Sequence, residues 1–172
     1  MKTQLHGLIR DVADFPKKGI LYKDITPLLG DAAGLSLAIE LMANPFRKLG
    51  IDKVVAAESR GFIFGIAIAR ALNAGFVPVR KPGKLPAKKV SKSYDLEYGV
   101  DTLELHEDAL SHGQRVLMVD DLLATGGTMR ACCDLVEGLG GNIVGVTFLI
   151  ELKALSGRKK LGGYVVESVL EY

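Results

Sequence analysis

The stretch "VLMVDDLLATGGT", residues 116–128, decides the fold and carries the first functional signal. It begins with an apolar run of the kind found in buried strands at the centre of parallel sheets. Two adjacent aspartates, Asp120 and Asp121, follow, and then the pair Gly126 and Gly127 between threonines. A buried strand that leads through a polar turn into a helical pattern is the repeating unit of parallel α/β folds.

The same alternation continues on both sides of this stretch. Strands are predicted at "DKVVAA", "GFVPVRK", "NIVGVTFLIEL" and "YVVESVL", and helices at "GFIFGIAIARAL" and "TMRACCDLVEGLGG". An earlier helix, around Ala38 to Leu49, should be kinked or shortened by Pro45. The pattern predicts an α/β fold with a mainly parallel central sheet flanked by helices.

The composition changes between the strand "GFVPVRK" and the strand that begins at Val116. "KPGKLPAKKVSKS", residues 81–93, is rich in proline and lysine and predicts an exposed, mobile loop. "SYDLEYG" and "DTLELHE" after it are typical of the two arms of a hairpin.

Composition limits the class of protein. The chain has 172 residues, of which 48% are hydrophobic, and this predicts a single domain over residues 1–172. A formal charge of +2 argues against nucleic-acid or membrane partners. No apolar run is long enough to cross a bilayer, and the adjacent Cys132 and Cys133 cannot join distant segments. We therefore expect a cytoplasmic protein.

The residues after the strand are suited to a phosphorylated sugar. Glycines bring bare backbone N–H groups close to a ligand, and the start of the next helix adds a positive dipole end, so this turn predicts a phosphate site. The two carboxylates would then accept hydrogen bonds from vicinal hydroxyls of a sugar. The alternative is a helix cap and a tight turn, but the combination after a buried strand favours the ligand site. Neither the Walker nor the dinucleotide pattern is present.

The stretch resembles the phosphoribosyl diphosphate (PRPP) motif of type I phosphoribosyltransferases. "FPKKGILYKDITPLL", "ESRGFIFG", "VRKPGKLP" and "YDLEYG" resemble, in the same order, segments of family members that act on adenine. The resemblance implies the type I phosphoribosyltransferase fold, with an N-terminal base-binding hood (residues 1–33) and a mobile catalytic loop and hairpin (residues 82–106). It also implies a homodimer that converts adenine and PRPP to AMP and pyrophosphate in purine salvage. Mg²⁺ would be held by the pyrophosphate and hydroxyls of PRPP, with no direct protein ligand.

The resemblance also implies roles for individual residues. The 5-phosphate would lie against Ala124, Thr125, Gly126, Gly127 and Thr128, and the ribose hydroxyls against Asp120 and Asp121. Negative charge accumulates on the departing pyrophosphate, so cations beside it lower the barrier. The matching cations are Arg80, Lys81 and Lys84, with Arg80 also a catalytic candidate, whereas Lys88 and Lys89 are interpreted as solvated. Glu97 would handle the proton lost from the purine, unless it is only a surface residue of the hairpin.

Adenine needs an apolar slot and a few hydrogen bonds. The matching positions are Ile20, Leu21, Tyr22 and Arg60, of which Arg60 would also contact PRPP. Lys23 stands where arginine is frequent in the family, and lysine cannot reproduce a planar bidentate contact. Glu58 and Ser59 are interpreted as helix-capping residues, and the scattered His6, His106 and His112 as surface residues.

Two other functions stay open. The first is a phosphoribosyltransferase for hypoxanthine, guanine or xanthine, although "GILYKD" and "ESRGF" favour adenine. The second is a non-catalytic regulator that senses PRPP, although the chain has no room for an added DNA-binding module. Turnover of a panel of purines would separate the three.

Overall fold

The structure is a computed structural model that describes residues 2–95 and 99–172. Its strands are β1 (Arg10–Ala13), β2 (Leu21–Asp24), β3 (Lys53–Ala57), β4 (Gly75–Val79), β5 (Lys89–Asp95), β6 (Val100–His106), β7 (Arg115–Leu123), β8 (Asn142–Glu151) and β9 (Val166–Glu171). The α-helices are α1 (Lys2–His6), α2 (Thr26–Gly30), α3 (Ala32–Ala43), α4 (Arg60–Leu72) and α5 (Gly127–Gly138). Short 3₁₀ helices span Asn44–Phe46, Lys153–Leu155 and Gly157–Leu161.

The central sheet has five strands in the order β4-β3-β7-β8-β9, and all its neighbouring strands run parallel. The prediction of a mainly parallel α/β sheet is confirmed, with β7 at its centre. β7 continues through Leu123, so the two aspartates lie within the strand and not at its end. β9 begins at Val166, two residues later than the predicted "YVVESVL".

Both faces of the sheet are buried, as the continuous apolar runs predict. Successive side chains of a strand point to opposite faces, so Val54 and Ala56 of β3 join one core cluster while Val55 and Ala57 join the other. The first cluster includes residues of α3 and α4, and the second includes residues of α5 and β6. The sheet is therefore a rigid layer between two packed layers.

The predicted helices are present with adjusted ends. α3 ends at Ala43, and Pro45 lies in the 3₁₀ turn that follows, because proline lacks the N–H group that an α-helix requires. In α5, Met129, Cys132 and Cys133 are buried on the face that packs against the sheet, and both cysteines are free thiols.

β5 and β6 form the predicted hairpin, paired antiparallel from Lys89↔His106 to Asp95↔Val100. Its first arm begins at Lys89, so the prediction of a loop over residues 81–93 is wrong from residue 89 onward. Val90 packs against the second core cluster and Leu85 is buried, which holds this segment to the body of the protein.

The N-terminal residues form a small unit beside the main sheet. β1 and β2 pair antiparallel from Arg10↔Asp24 to Ala13↔Leu21, with α1 before them and α2 after them. Buried Leu5, Ile25 and Leu28 belong to the first core cluster and anchor the unit. Among the residues described, no helix has the length and apolarity that a membrane span requires.

Candidate active site

The site lies where the two neighbours of β7 end at different points. β3 pairs with β7 only as far as Val119, whereas β8 continues to pair with it through Leu123. One side of residues 120–123 is therefore open, and a cleft of about 360 Å³ lies there. Ligands of parallel α/β sheets bind at this carboxyl edge.

The cleft brings together many of the residues singled out in the sequence. Its lining includes Arg60, Lys81, Asp120, Asp121, Ala124 and Thr128 from the predicted set, and Glu58, Ser59, Tyr94, Asp101, Leu103 and Leu122 outside that set. Leu122 directly follows Asp121 in the chain. The other five come from three separate segments, and only the fold brings them beside the aspartates.

The two carboxylates of the acidic pair have different surroundings. Asp121 is 5% exposed, and its Oδ2 atom lies against the Arg60 guanidinium but accepts no hydrogen bond from the described residues. Asp120 is half-buried and packs against Gly61. A Cβ atom added to Gly61 would lie 2.8 Å from the Oδ1 atom of Asp120. Burial, and then the neighbouring Asp121 carboxylate, raise the pKa of Asp120 well above its ordinary value. Two acceptors with spare capacity thus face the cleft.

Arg60 connects the acidic pair to the N-terminal unit. Its guanidinium contacts Asp121 and also donates a hydrogen bond to the Tyr22 hydroxyl. The Arg60 side chain is 27% exposed, so the cation is partly shielded from solvent. Two residues predicted for the base, Tyr22 and Arg60, are therefore in direct contact.

The predicted phosphate loop forms a separate small pocket of about 80 Å³, lined by residues 122–129 with Asp120 and Phe148. Gly126 adopts φ +80°, which favours glycine, and Gly127 begins helix α5. The free N–H groups of the first helical turn therefore open onto this pocket.

Gly157, which the sequence reasoning missed, lies directly behind this loop. A Cβ atom on Gly157 would lie 2.3 Å from the Ala124 carbonyl oxygen, and one on Gly126 would lie 2.5 Å from the Gly157 oxygen. Arg158 fixes the segment, since its Nε donates to Glu151 at 2.8 Å and its Nη1 to the Val166 oxygen at 2.6 Å. No local sequence pattern indicates this contact.

The predicted cations converge on Glu58. Its carboxylate accepts hydrogen bonds from Arg80 Nε at 2.7 Å, from the backbone N–H of Lys81 at 2.9 Å and from Lys84 Nζ at 3.1 Å. Burial raises the pKa of Glu58, but these hydrogen bonds outweigh it and lower the pKa to about 2. The interpretation of Glu58 as a cap is wrong, and Ser59 stands at the N-cap position without a side-chain capping bond.

Lys81 is the cation of this group that lines the cleft. Its Nζ donates to Asp101 Oδ2 at 2.9 Å, and this hydrogen bond raises the pKa of Lys81. Of the two lysines interpreted as solvated, Lys88 is exposed, but Lys89 is half-buried and pairs with Glu104 at 3.7 Å. Strand β5 carries Lys89 back over the body of the protein, which explains the difference.

The residues predicted for adenine differ in exposure. Ile20 and Leu21 are exposed, while Tyr22 is half-buried with the Phe15 ring packed edge-on against it. Lys23 is buried, pairs with Asp11 at 2.7 Å and lies 3.8 Å above the Tyr172 ring. These contacts give Lys23 a structural place in the N-terminal unit. Glu97, the predicted acid/base residue, lies outside the described residues.

The histidines do not gather at the cleft. His6 is exposed and bonds with the Tyr172 hydroxyl at 3.0 Å, His112 is exposed, and His106 is half-buried and accepts from the Ala87 N–H at 3.3 Å. Within residues 2–95 and 99–172, no three histidine, cysteine or acidic side chains form a potential metal cluster.

Comparison with known proteins places this geometry in a family. The model of the phosphoribosyl transferase domain matches residues 28–169. Adenine phosphoribosyltransferase of Solidesulfovibrio magneticus is 59% identical over 97% of this chain and 98% of its own. The crystal structure of the enzyme of the same name from Thermoanaerobacter pseudethanolicus is 52% identical and superposes with a TM-score of 0.97 over 100% of both chains. That from Saccharomyces cerevisiae, 39% identical with a TM-score of 0.91 over 98% of both chains, was solved with adenine and an imino-altritol bisphosphate.

Proposed function

The chain belongs to the phosphoribosyltransferase family, and from that premise we propose that it is an adenine phosphoribosyltransferase, which converts adenine and PRPP to AMP and pyrophosphate in purine salvage. The observation that carries the proposal is the cleft in which Asp120 and Asp121 lie between a helix-start phosphate loop and Lys81. This order along the cleft suits a sugar that carries a phosphate at one end and a leaving group at the other.

The 5-phosphate is bound by the loop of residues 124–128. Backbone N–H groups of the first turn of α5 donate to its oxygens, and the helix dipole favours its negative charge. Thr125 and Thr128 add hydroxyl donors. Gly126 and Gly157 let the loop backbone lie close enough to hold the phosphate without intervening side chains.

Asp120 and Asp121 accept hydrogen bonds from the two ribose hydroxyls. The Oδ2 atom of Asp121 is buried against the Arg60 guanidinium but accepts no well-aligned hydrogen bond from the described residues, so a hydroxyl could bond to its remaining lone pair. Burial and the Asp121 carboxylate raise the pKa of Asp120, and the nearby Arg60 cation works against them. Holding the ribose at two points fixes the anomeric carbon relative to the base.

The pyrophosphate leaves from the end of the cleft that holds the cations. Lys81 lines this end, and Arg80 and Lys84 share the Glu58 carboxylate beside it. Negative charge grows on the leaving group as its bond to carbon breaks, and fixed cations stabilise that charge. Arg80 therefore acts here through charge. Glu58 binds the side chains of Arg80 and Lys84 and the backbone N–H of Lys81, and so keeps this segment in place.

Adenine binds beneath the N-terminal unit, where Tyr22 and Arg60 meet. Ile20 and Leu21 are exposed in this structure, and a flat base would cover part of their apolar surface. Glu97, on the connection between β5 and β6, takes the proton that the purine loses. Closure of the predicted catalytic loop that begins at Pro82 would exclude water, which would otherwise compete with adenine for the ribosyl carbon.

Mg²⁺ would be held by the pyrophosphate and hydroxyls of PRPP, with no direct protein ligand. The acidic lining of the cleft fits such a complex, because Mg²⁺ commonly keeps several waters when it is bound through substrate phosphates, and carboxylates accept hydrogen bonds from those waters. Bound there, the ion would neutralise part of the pyrophosphate charge.

The proposal extends to assembly and location. Ile63 and Ile66 of α4 are exposed apolar residues, and we propose that they lie in the interface of a homodimer. Light scattering of the purified chain at micromolar concentration tests this assembly. The unpaired, buried thiols of Cys132 and Cys133 suit the reducing cytoplasm, and cell fractionation tests that location.

A panel of adenine, hypoxanthine, guanine and xanthine with PRPP and Mg²⁺ tests the activity. We expect rapid AMP formation and at least a hundredfold lower kcat/KM for the 6-oxopurines, because a site that pairs with the adenine amine leaves its groups unpaired against a carbonyl. Faster use of a 6-oxopurine would overturn the choice of base. PRPP binding without any nucleotide formation would instead identify a sensor.

A further inference from the structure

A single hydroxyl group connects the two ends of the cleft. Tyr94 OH lies 3.2 Å from Thr128 Oγ1 in the phosphate loop and 3.3 Å from Asp101 Oδ2. The same Asp101 oxygen accepts a hydrogen bond from Lys81 Nζ at 2.9 Å. All four side chains line the 360 Å³ cleft, so the chain Thr128–Tyr94–Asp101–Lys81 runs along its wall.

The direction of each hydrogen bond in this chain follows from the number of protons available. Asp101 is ionised, since the Lys81 hydrogen bond lowers its pKa, and a carboxylate only accepts. Burial raises the pKa of Tyr94, so its hydroxyl keeps its one proton and donates it to Asp101. The bond between Tyr94 and Thr128 must then be donated by Thr128.

This direction conflicts with the binding of a phosphate. A phosphate dianion accepts hydrogen bonds, whereas the one proton of the Thr128 hydroxyl is directed at Tyr94 in this structure. If Thr128 turns its proton to the phosphate, Tyr94 can donate to Thr128. Asp101 Oδ2 then keeps Lys81 as its partner among these side chains.

We propose that Tyr94 and Asp101 are positioning residues that couple occupancy of the 5-phosphate loop to the state of Lys81. The inference rests on the proposed function, because it takes Thr128 as a 5-phosphate contact. When phosphate fills the loop, the Tyr94 hydroxyl donates its proton to Thr128 and no longer to Asp101. Lys81 is then the remaining partner of Asp101 Oδ2 among these side chains. The cation that faces the pyrophosphate thereby responds to a phosphate at the opposite end of the cleft.

Ribose 5-phosphate is the probe that isolates this coupling, because it has a 5-phosphate but no pyrophosphate to contact Lys81. Its dissociation constant is measured by titration calorimetry for the wild type, Asp101→Asn, Tyr94→Phe and the double variant. An asparagine oxygen is a weaker acceptor than a carboxylate, so Tyr94 donates more readily to Thr128 in Asp101→Asn. We expect this variant to bind ribose 5-phosphate about three- to tenfold more tightly than the wild type.

The Tyr94→Phe background separates the relay from simple loss of a negative charge. If the effect passes through the hydroxyl, Asp101→Asn changes the affinity less than twofold when Tyr94→Phe is also present. An equal effect in both backgrounds, or no effect of Asp101→Asn in either, would overturn the proposal. Both substitutions are close to isosteric, and thermal melting of each variant checks its folding.

Two controls complete the design. Tyr164→Phe removes a hydroxyl that bonds to Glu137 at 2.5 Å on the outside of α5, and it should leave the affinity for ribose 5-phosphate unchanged. AMP formation from adenine and PRPP is measured on the wild type alone. Absence of AMP would refute the proposed function, whereas the calorimetric comparison decides the coupling in either case.

Discussion

The buried carboxylate of Asp121 lies against the guanidinium group of Arg60. Because Arg60 also donates to Tyr22, one cation joins the strand that carries the acidic pair to the unit proposed to hold the base. The positions proposed for ribose and for adenine are therefore linked by direct side-chain contacts. This contact also changes what substitution of the aspartates should do.

From the sequence alone, Asp120→Asn with Asp121→Asn should reduce PRPP use and leave stability intact, on the expectation that both carboxylates are exposed. The structure contradicts that expectation for Asp121, which is 5% exposed and paired with Arg60. Asp121→Asn should therefore destabilise the fold by about 1–3 kcal/mol, because it leaves Arg60 without its counter-charge. Urea denaturation measures the loss.

Asp120→Asn is the matched comparison. Burial and a like charge raise the pKa of Asp120, so its neutralisation should cost less than about 0.5 kcal/mol of stability. Its kcat/KM for PRPP should still fall at least tenfold through the lost ribose contact. Near-normal PRPP kinetics in Asp120→Asn would refute the ribose role, and equal stability losses in the two variants would refute the asymmetry.

Gly157→Ala should impair the phosphate loop without touching the substrate. The added Cβ would lie 2.3 Å from the Ala124 oxygen, so the loop backbone must shift. We expect the KM for PRPP to rise about tenfold or more and the KM for adenine to change little. Gly162→Ala in the same segment is the control, since its Cβ would meet only an ordinary 3.7 Å contact. If both variants have the same PRPP KM, Gly157 does not support the loop.

Lys23→Met should show whether Lys23 stabilises the fold or binds the base. Lys23 is buried, paired with Asp11 and packed over the Tyr172 ring. Its loss should reduce the free energy of unfolding by about 1–2 kcal/mol and leave the adenine KM within twofold of the wild type. Tyr22→Ala, by comparison, should raise the adenine KM about tenfold. A large rise in the adenine KM of Lys23→Met would instead show that Lys23 takes part in binding the base.

Glu58→Gln should alter the response to acid. The pKa of Glu58 is about 2 in the folded protein against an ordinary 4.5, so its ionised form stabilises the fold above pH 4.5. That contribution is lost as the pH falls from 4.5 toward 2. Glu58→Gln should be about 1–3 kcal/mol less stable than the wild type at pH 7, with a smaller difference near pH 2.

Denaturant unfolding at pH 7, 4.5 and 2.5 measures this difference. Glu40→Gln is the control, because Glu40 is an exposed carboxylate that pairs with Arg47 on the surface. Its effect should stay below about 1 kcal/mol at every pH. A Glu58→Gln difference that does not shrink with falling pH would show that the carboxylate does not act through its charge.

Much of the fold was readable because each element carries its own periodic signal. β3 and β7 are short apolar runs, and α5 repeats its buried residues at helical spacing, so local patterns predicted these elements and the mainly parallel sheet, but not the order of its strands. The start of β5 was missed because Lys89 and Lys92 give that strand the composition of a loop. Their side chains pair with Glu104 and Asp134, which lie on other elements.

Some residues of the candidate site could likewise be predicted from local sequence, and others could not. The sequence by itself determined the acidic pair and the glycine turn for which phosphate binding is proposed, because those residues are contiguous and the physical demands on them are local: backbone N–H groups, glycine φ angles and adjacent carboxylates. Only the tertiary structure decided which cations face the cleft, that Lys23 is buried, and that Glu58, Tyr94, Asp101 and Gly157 adjoin the site. These contacts join residues far apart in sequence, and no local pattern specifies which side chains the packed sheet brings within hydrogen-bonding distance.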